Sequence, residues 1–168
     1  MGFLRESWRV GPFSRLSSWL SRSASRGRQR RSLGDRVTRL DRTEPTLNQV
    51  APGDSRDTTT PAAMVRLLHA IFCGSALSVD SRQRLQTWML DAKVGQERLP
   101  AGLPGGWRIG HKTGTGPRET NETNDVAIVW PPKRAPILIA AFYAQSRAPQ
   151  DGRDAVLREV AQIVAAAI

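Results

Sequence analysis

The sequence of 168 residues lacks several features that would indicate a particular class of protein. It contains one cysteine, Cys73, which excludes an internal disulfide bond, and the surrounding run LLHAIFCG is typical of a buried thiol. No run of 18 apolar residues is present, which excludes a transmembrane helix of ordinary length. Near the N-terminus Arg and Ser interrupt the apolar residues every few positions, so we predict no secretory signal peptide.

The positive charge is concentrated at the start of the chain. The formal net charge is +10, and residues 1–31 hold eight arginines and seven serines against one acidic residue, with no lysine. Three interpretations compete for this segment: an arm that binds nucleic acid, an organelle transit peptide, or an out-of-frame translation, and we favour the out-of-frame translation over both others. From Ser32 the composition changes, so we predict a disordered, unrelated tail at 1–31 and a folded domain at 32–168.

Two helices are predicted in the first half of this domain. The stretch TTTPAAMVRLLHAIFCG has Thr60 as N-cap and Pro61 at the first helical position, followed by apolar residues on one face. The stretch DSRQRLQTWMLDAKVG offers Asp80 as N-cap, with Leu85, Trp88 and Met89 at helical spacing toward the core.

Three strands and a final helix follow. Strand character is found at Trp107–Lys112, Val126–Trp130 and Ile137–Ala144, and the sequence PPKRAP between the last two excludes helix there. The terminal segment predicts a helix whose apolar stripe comprises Val156, Val160, Ile163, Val164 and Ala167. The predicted class is therefore α+β.

Between Leu40 and Thr60 lies a segment with little periodicity and several Pro, Gly, Asn and Asp residues, which predicts a long Ω-type loop. Arg42 and Asp57 stand near its two ends, where a charge-assisted bond could close the loop. The alternative is that both charges are solvated.

These residues carry a resemblance to a known family. The stretch RLDRTEPTLNQVAPGDSRDTTTPAAM is similar to the Ω-loop region of class A serine β-lactamases, and GWRIGHKTGTG followed by TNDVAIVWPP resembles the KTG strand of that family and the strand after it. The resemblance covers Ser32 to Ile168. It implies part of a β-lactamase or penicillin-binding-protein-like fold, a monomer, a β-lactam substrate, no metal or cofactor, no membrane association, and a periplasmic or secreted bacterial enzyme.

The resemblance also implies roles for individual residues. Glu44 matches the general base that activates water against the acyl-enzyme ester, and Asn48 matches the residue that orients this water. On the strand, Lys112 and Thr113 match the groups that hold the substrate carboxylate, and the backbone N–H of Thr115 is expected in the oxyanion hole.

Three further positions complete the predicted site. Gly114 leaves room for substrate against the strand backbone, and Gly116 is placed with the substrate-binding residues. Arg98 is either a helper toward the substrate carboxylate or a surface charge, and both interpretations stay open. Glu122 stands where other family members have an arginine or a small residue.

Two family motifs are missing from the sequence. The three lysines, Lys93, Lys112 and Lys133, are not preceded by serine at three positions, so there is no Ser-x-x-Lys, and there is no Ser-Asp-Asn. We therefore expect a chain with the substrate cradle and the deacylating carboxylate that cannot be acylated and is unstable alone. The alternative enzyme, a penicillin-binding D,D-peptidase relative, would not need the pair Glu44 and Asn48.

Overall fold

The computed structural model describes residues 8–9, 34–43, 46, 51 and 53–168. Along the chain these form β1 (Trp8–Arg9), β2 (Thr58–Thr59), α1 (Pro61–Phe72), α2 (Val79–Leu90), a 3-10 turn (Leu99–Gly102), β3 (Arg108–Thr115), β4 (Thr123–Trp130), β5 (Ile137–Tyr143) and α3 (Gln150–Ala166). The predicted α+β class is confirmed in this part of the chain, with two helices, three main strands and a last helix in the predicted order.

The main sheet has the order β3-β4-β5, and both strand pairs are antiparallel. β4 lies in the centre, and its residues 123–129 are all buried, because its apolar run can pack on both faces. It begins three residues earlier than predicted, since the polar residues Thr123, Asn124 and Asp125 pair with the end of β3. Hydrophobic periodicity does not identify such polar strand residues.

The core is divided between the two faces of the sheet, so the molecule has three layers. Side chains alternate between the faces of a strand. On one face α1 and α2 cover a cluster formed by Met64, Leu67, Leu68, Ile71, Phe72, Met89, Val126 and Ile128. On the other face α3 and the 3-10 turn cover a cluster formed by Leu99, Ala127, Val129, Ile139, Ala141, Leu157 and Ala161.

Helix α1 begins as predicted. The Thr60 side chain accepts a hydrogen bond from the Ala63 amide at 3.2 Å, and Pro61 occupies the first helical position, where its missing N–H costs nothing. The prediction for Cys73 is wrong, because this thiol is exposed. Cys73 is the C-cap of α1, one residue beyond buried Phe72, where the chain leaves the helix.

Helix α2 differs from the prediction in two ways. Its N-cap is Ser78, whose hydroxyl accepts from the Ser81 amide, and Asp80 lies inside the first turn. The predicted inward face is wrong at Trp88, whose exposed fraction is 55%, while Met89 is fully buried. Within α2 Met89 is buried, and Leu85 packs partly buried against the core cluster.

The stripe predicted for α3 is also wrong in part. Its buried residues are Arg153, Asp154, Leu157 and Ala161, whereas Ile163 is 62% exposed and Ala167 is exposed. Val160 and Val164 pack at the margin of the core cluster. The helix is rotated relative to its apolar stripe because Arg153 and Asp154 find hydrogen-bond partners inside the molecule.

Part of the predicted tail has a place in the structure. β1 pairs antiparallel with β2, so Trp8 lies opposite Thr59 and Arg9 opposite Thr58. The boundary between 31 and 32 stays a prediction. Across the described residues, none of the helices is long and apolar enough to pass through a bilayer.

Candidate functional site

The predicted site residues of the KTG strand lie together on β3. Thr113 and Gly114 are buried, Lys112 is half-buried and Thr115 is exposed at the end of the strand. The Lys112 ammonium turns back along the strand and donates to the Thr113 carbonyl at 2.5 Å. The strand therefore presents one cation and two hydroxyls within a few residues, which is a chemistry suited to an anionic ligand.

The surroundings of Lys112 affect its pKa in opposite directions. Burial lowers the pKa of Lys112 below the ordinary 10.5, the carboxylate of Asp125 raises it, and the guanidinium of Arg98 lowers it. Because the largest cause is desolvation, the ammonium is less strongly solvated than a surface lysine. Such a group gains more from an anionic ligand than a fully hydrated ammonium does.

Arg98 is buried beneath the end of β3, so the surface-charge interpretation is wrong. Its Nε donates to Asp154 at 2.7 Å, and its Nη1 donates to the carbonyls of Asn124 at 2.9 Å and Gly114 at 3.2 Å. Its Nη2 donates to the Thr115 hydroxyl at 2.8 Å. The guanidinium thus joins α3, β4 and the last two residues of β3, and fixes where β3 ends.

Two glycines allow close approaches around the strand. Gly95 has φ +81°, and a Cβ there would lie 2.2 Å from the Thr113 methyl group, so the loop after α2 can cross β3 only with glycine at this position. A Cβ on Gly116 would lie 1.7 Å from Oε2 of Glu122. Glu122 is itself buried and accepts a short hydrogen bond from the Thr120 hydroxyl. Its carboxylate therefore packs against the chain just beyond the KTG residues.

A second titratable cluster lies behind the strand. The side chain of His111 is 2% exposed, and its Nδ1 lies 3.0 Å from both carboxylate oxygens of Asp125, which is fully buried. On the other side of the ring, Nε2 lies 3.2 Å from Nε2 of Gln96. The sequence does not indicate this contact, because Asp125 comes from the next strand and becomes a neighbour of His111 only in the observed register.

The two charged residues near the ends of the predicted loop, Arg42 and Asp57, are in contact. Arg42 Nε donates to Oδ2 of Asp57 at 2.6 Å, and Oδ1 of Asp57 accepts from the amides of Asp41 at 2.7 Å and Arg42 at 3.0 Å. The carboxylate of Asp57 is buried and its φ is +54°. Asp57 thus ties the entry of the loop to its exit. The predicted catalytic residues Glu44 and Asn48 lie outside the described residues.

The structure brings together Lys112, Thr113, Gly114, Thr115, Gly116 and Arg98, and sets Arg42 and Asp57 in a separate cluster at the loop base. Sequence reasoning missed Asp125, Asp154 and Gln96. The first of these could have been suspected from TND at the start of a strand, since a charged residue there requires a partner. The other two carry no pattern in the sequence.

Comparison with known proteins relates this arrangement to one family. A family model described as the beta-lactamase enzyme family matches residues 16–168. Beta-lactamase CTX-M-8 of Citrobacter amalonaticus is 46% identical over 134 residues, which are 80% of this chain and 45% of that protein. Beta-lactamase Toho-1 of Escherichia coli is 45% identical over the same length.

Solved structures give the same relation. An ancestral class A beta-lactamase has a TM-score of 0.82 at 50% identity, covering 91% of this chain and 58% of the other. A beta lactamase from Xanthomonas campestris has a TM-score of 0.79 at 43% identity, covering 89% and 55%. The chain therefore spans about half the length of the relatives that it matches.

Proposed function

Because the chain belongs to the beta-lactamase enzyme family, we propose that β3 is the substrate-carboxylate side of a site for β-lactams of the penicillin and cephalosporin type. The complete reaction is hydrolysis of the β-lactam amide, which gives antibiotic resistance. The chain spans 45% of the length of CTX-M-8, so this activity is proposed for a site to which the described residues contribute one wall.

The observation that carries the proposal is the half-buried Lys112 ammonium, which donates to the Thr113 carbonyl on a strand that also carries the Thr113 and Thr115 hydroxyls. A β-lactam carries a carboxylate, and a desolvated ammonium with a neighbouring hydroxyl can hold it by charge-assisted hydrogen bonds, worth about 1.5–3 kcal/mol each. Thr115 follows at the exposed end of the strand, where its N–H would stabilise developing negative charge by about 2–4 kcal/mol.

Arg98 acts on this wall from behind. Its guanidinium has the Thr115 hydroxyl and the Gly114 carbonyl as partners, and its remaining contacts are with Asp154 and Asn124. In this proposal Arg98 shapes the carboxylate pocket by fixing the end of β3. In the same proposal Gly114 leaves space for the ligand along the strand, whereas the space beside Gly116 is filled by the Glu122 carboxylate.

The water-activating half of the site is assigned to the Ω loop. We propose Glu44 as general base and Asn48 as the residue that orients the water, on the basis of their family motif. The bond between Arg42 and Asp57 supports this proposal, because it closes the base of the loop that carries both residues. The enzyme would need neither metal nor cofactor, and would act as a periplasmic or secreted monomer.

The nucleophile is the part that the sequence does not supply. With neither Ser-x-x-Lys nor Ser-Asp-Asn present, the chain would bind a β-lactam but form no acyl-enzyme. The D,D-peptidase alternative shares the KTG strand, and the relatives' beta-lactamase names together with the Glu44 motif favour the first proposal.

The experiment measures binding and turnover separately. A chromogenic cephalosporin is added to the purified full chain, and we expect reversible binding, no acyl adduct in the intact mass and no sustained hydrolysis. Lys112→Ala should weaken binding about tenfold or more, because a charge-assisted bond is lost. Exposed Lys133→Ala is the matched control and should bind like the wild type.

Two results would count against the proposal. Sustained turnover by the wild-type chain would contradict the missing nucleophile. Equal affinity of the Lys112→Ala and Lys133→Ala chains would remove β3 from the carboxylate site.

A further inference from the structure

A buried imidazole and a buried carboxylate face each other behind β3, and the proposed function uses neither. His111 immediately precedes Lys112, and Asp125 pairs across the sheet with Thr113. Both side chains are at most 2% exposed, and the Nδ1 atom of His111 is 3.0 Å from each oxygen of Asp125. A buried charge needs such a partner, because desolvation alone disfavours the ionised carboxyl.

The hydrogen-bond network assigns the ring protons. The Gln96 side-chain atom that faces His111 also lies 2.8 Å from the Ala92 carbonyl oxygen, which only accepts hydrogen bonds. This atom must therefore be the amide nitrogen, and its second hydrogen faces His111. Nε2 of His111 must therefore accept, and the ring hydrogen lies on Nδ1, directed at Asp125. The network is fully satisfied by a neutral imidazole and an ionised carboxylate.

The carboxylate in turn acts on Lys112 through the sheet. Burial raises the pKa of Asp125, and the hydrogen bond from His111 is the largest opposing cause, with the positive charge of Arg98 acting in the same direction. The charge of Asp125 raises the pKa of Lys112, against burial and the positive charge of Arg98, which lower it. Among the described residues, Asp125 and Arg98 are charged groups that act on the ammonium.

We propose that His111 is a positioning residue for the β3 site: its Nδ1–H holds the buried Asp125 side chain as a carboxylate, and the charge of this carboxylate, next to β3 in the strand register, favours the ammonium form of Lys112. The order of effects is His111 to Asp125 to Lys112, with no contact between His111 and a ligand. Its functional meaning rests on the proposed role of Lys112 toward a substrate carboxylate. The inference itself concerns the protonation of Lys112, which is measurable without any β-lactam.

The test follows the Lys112 ammonium directly. The chain has three lysines, so lysine labelled with carbon-13 at Cε gives three NMR signals, and exposed Lys93 and Lys133 serve as internal references. In His111→Leu the donor to Asp125 is lost, and we expect the titration midpoint of Lys112 to fall by about one pH unit. The references should not move.

Three matched variants separate the donor from the ring. His111→Asn places an amide N–H where Nδ1–H was, and should restore the wild-type midpoint. Asp125→Asn removes the charge with little change of shape, and should lower the midpoint as His111→Leu does. Replacing the exposed His69 by Leu should change nothing.

The proposal has clear points of failure. A folded Asp125→Asn chain in which Lys112 titrates like the wild type would overturn it, whatever happens to the stability of His111→Leu. A midpoint in His111→Asn as low as in His111→Leu would overturn the role of the Nδ1 donor. Failure of β-lactam binding would contradict the proposed function and leave these titrations unaffected.

Discussion

Removal of the Arg98 guanidinium is the perturbation for which the structure predicts the largest effect. The side chain is 4% exposed and is paired with Asp154 at 2.7 Å. In Arg98→Met the apolar stem is kept, and the charge and the donors to Gly114, Thr115 and Asn124 are lost. The substitution therefore isolates the polar network from side-chain packing.

The magnitude follows from what is left behind. The Asp154 carboxylate stays buried with the neutral Gln150 amide as a donor at 2.8 Å, and breaking a buried ion pair in this way costs about 3–5 kcal/mol. This is comparable to the whole stability of a small domain, so Arg98→Met should lower the free energy of unfolding severely or abolish folding. The double variant Arg98→Met with Asp154→Leu should recover more than half of the loss, since no charge is then buried alone.

Urea unfolding followed by tryptophan fluorescence measures both effects. The matched control is Arg56→Ala, because Arg56 also pairs with a carboxylate but is 53% exposed, and its midpoint should stay unchanged. A loss below about 1 kcal/mol in Arg98→Met would show that the buried pair is solvated in solution, and the argument would fail.

Three other outcomes are expected. Asp57→Ala should speed hydrogen exchange at the Arg42 amide by at least about tenfold, because its acceptor is removed; unchanged protection, measured by NMR, would contradict the loop-base contact. Gly95→Ala should destabilise the chain by about 1–3 kcal/mol in thermal unfolding, since the added Cβ would overlap a threonine methyl on β3. Gly105→Ala, where the added Cβ meets open space, should be neutral, and equal effects of the two substitutions would refute the close packing of Gly95 on β3. Binding of the cephalosporin should weaken as pH rises through the lowered pKa of Lys112, below the ordinary 10.5; affinity that is constant up to that value would exclude the ammonium as the anion-binding group.

Parts of this molecule were predictable because their signals are local. Thr60 and Pro61 start α1 wherever the helix lies in the fold. The Thr60 side chain accepts a hydrogen bond from an N–H group of the first turn, and Pro61 has no N–H group that would need a partner. The apolar runs of β4 and β5 form strands for an equally local reason, because β-branched residues suit an extended backbone. Which side of a helix meets the sheet is not a local property. Trp88 and Ile163 were predicted to face the core, and both are exposed.

The sequence by itself determined the α+β order, the start of α1, the family resemblance and the absence of the Ser-x-x-Lys motif, because each depends on residues close together in the chain. The tertiary structure alone decided which polar residues are buried. Arg98 meets Asp154 from 56 positions away, and His111 meets Asp125 only because β3 and β4 pair in one register. A buried charge is tolerated only where another segment of the fold supplies its partner, and no local sequence pattern predicts which segment that is.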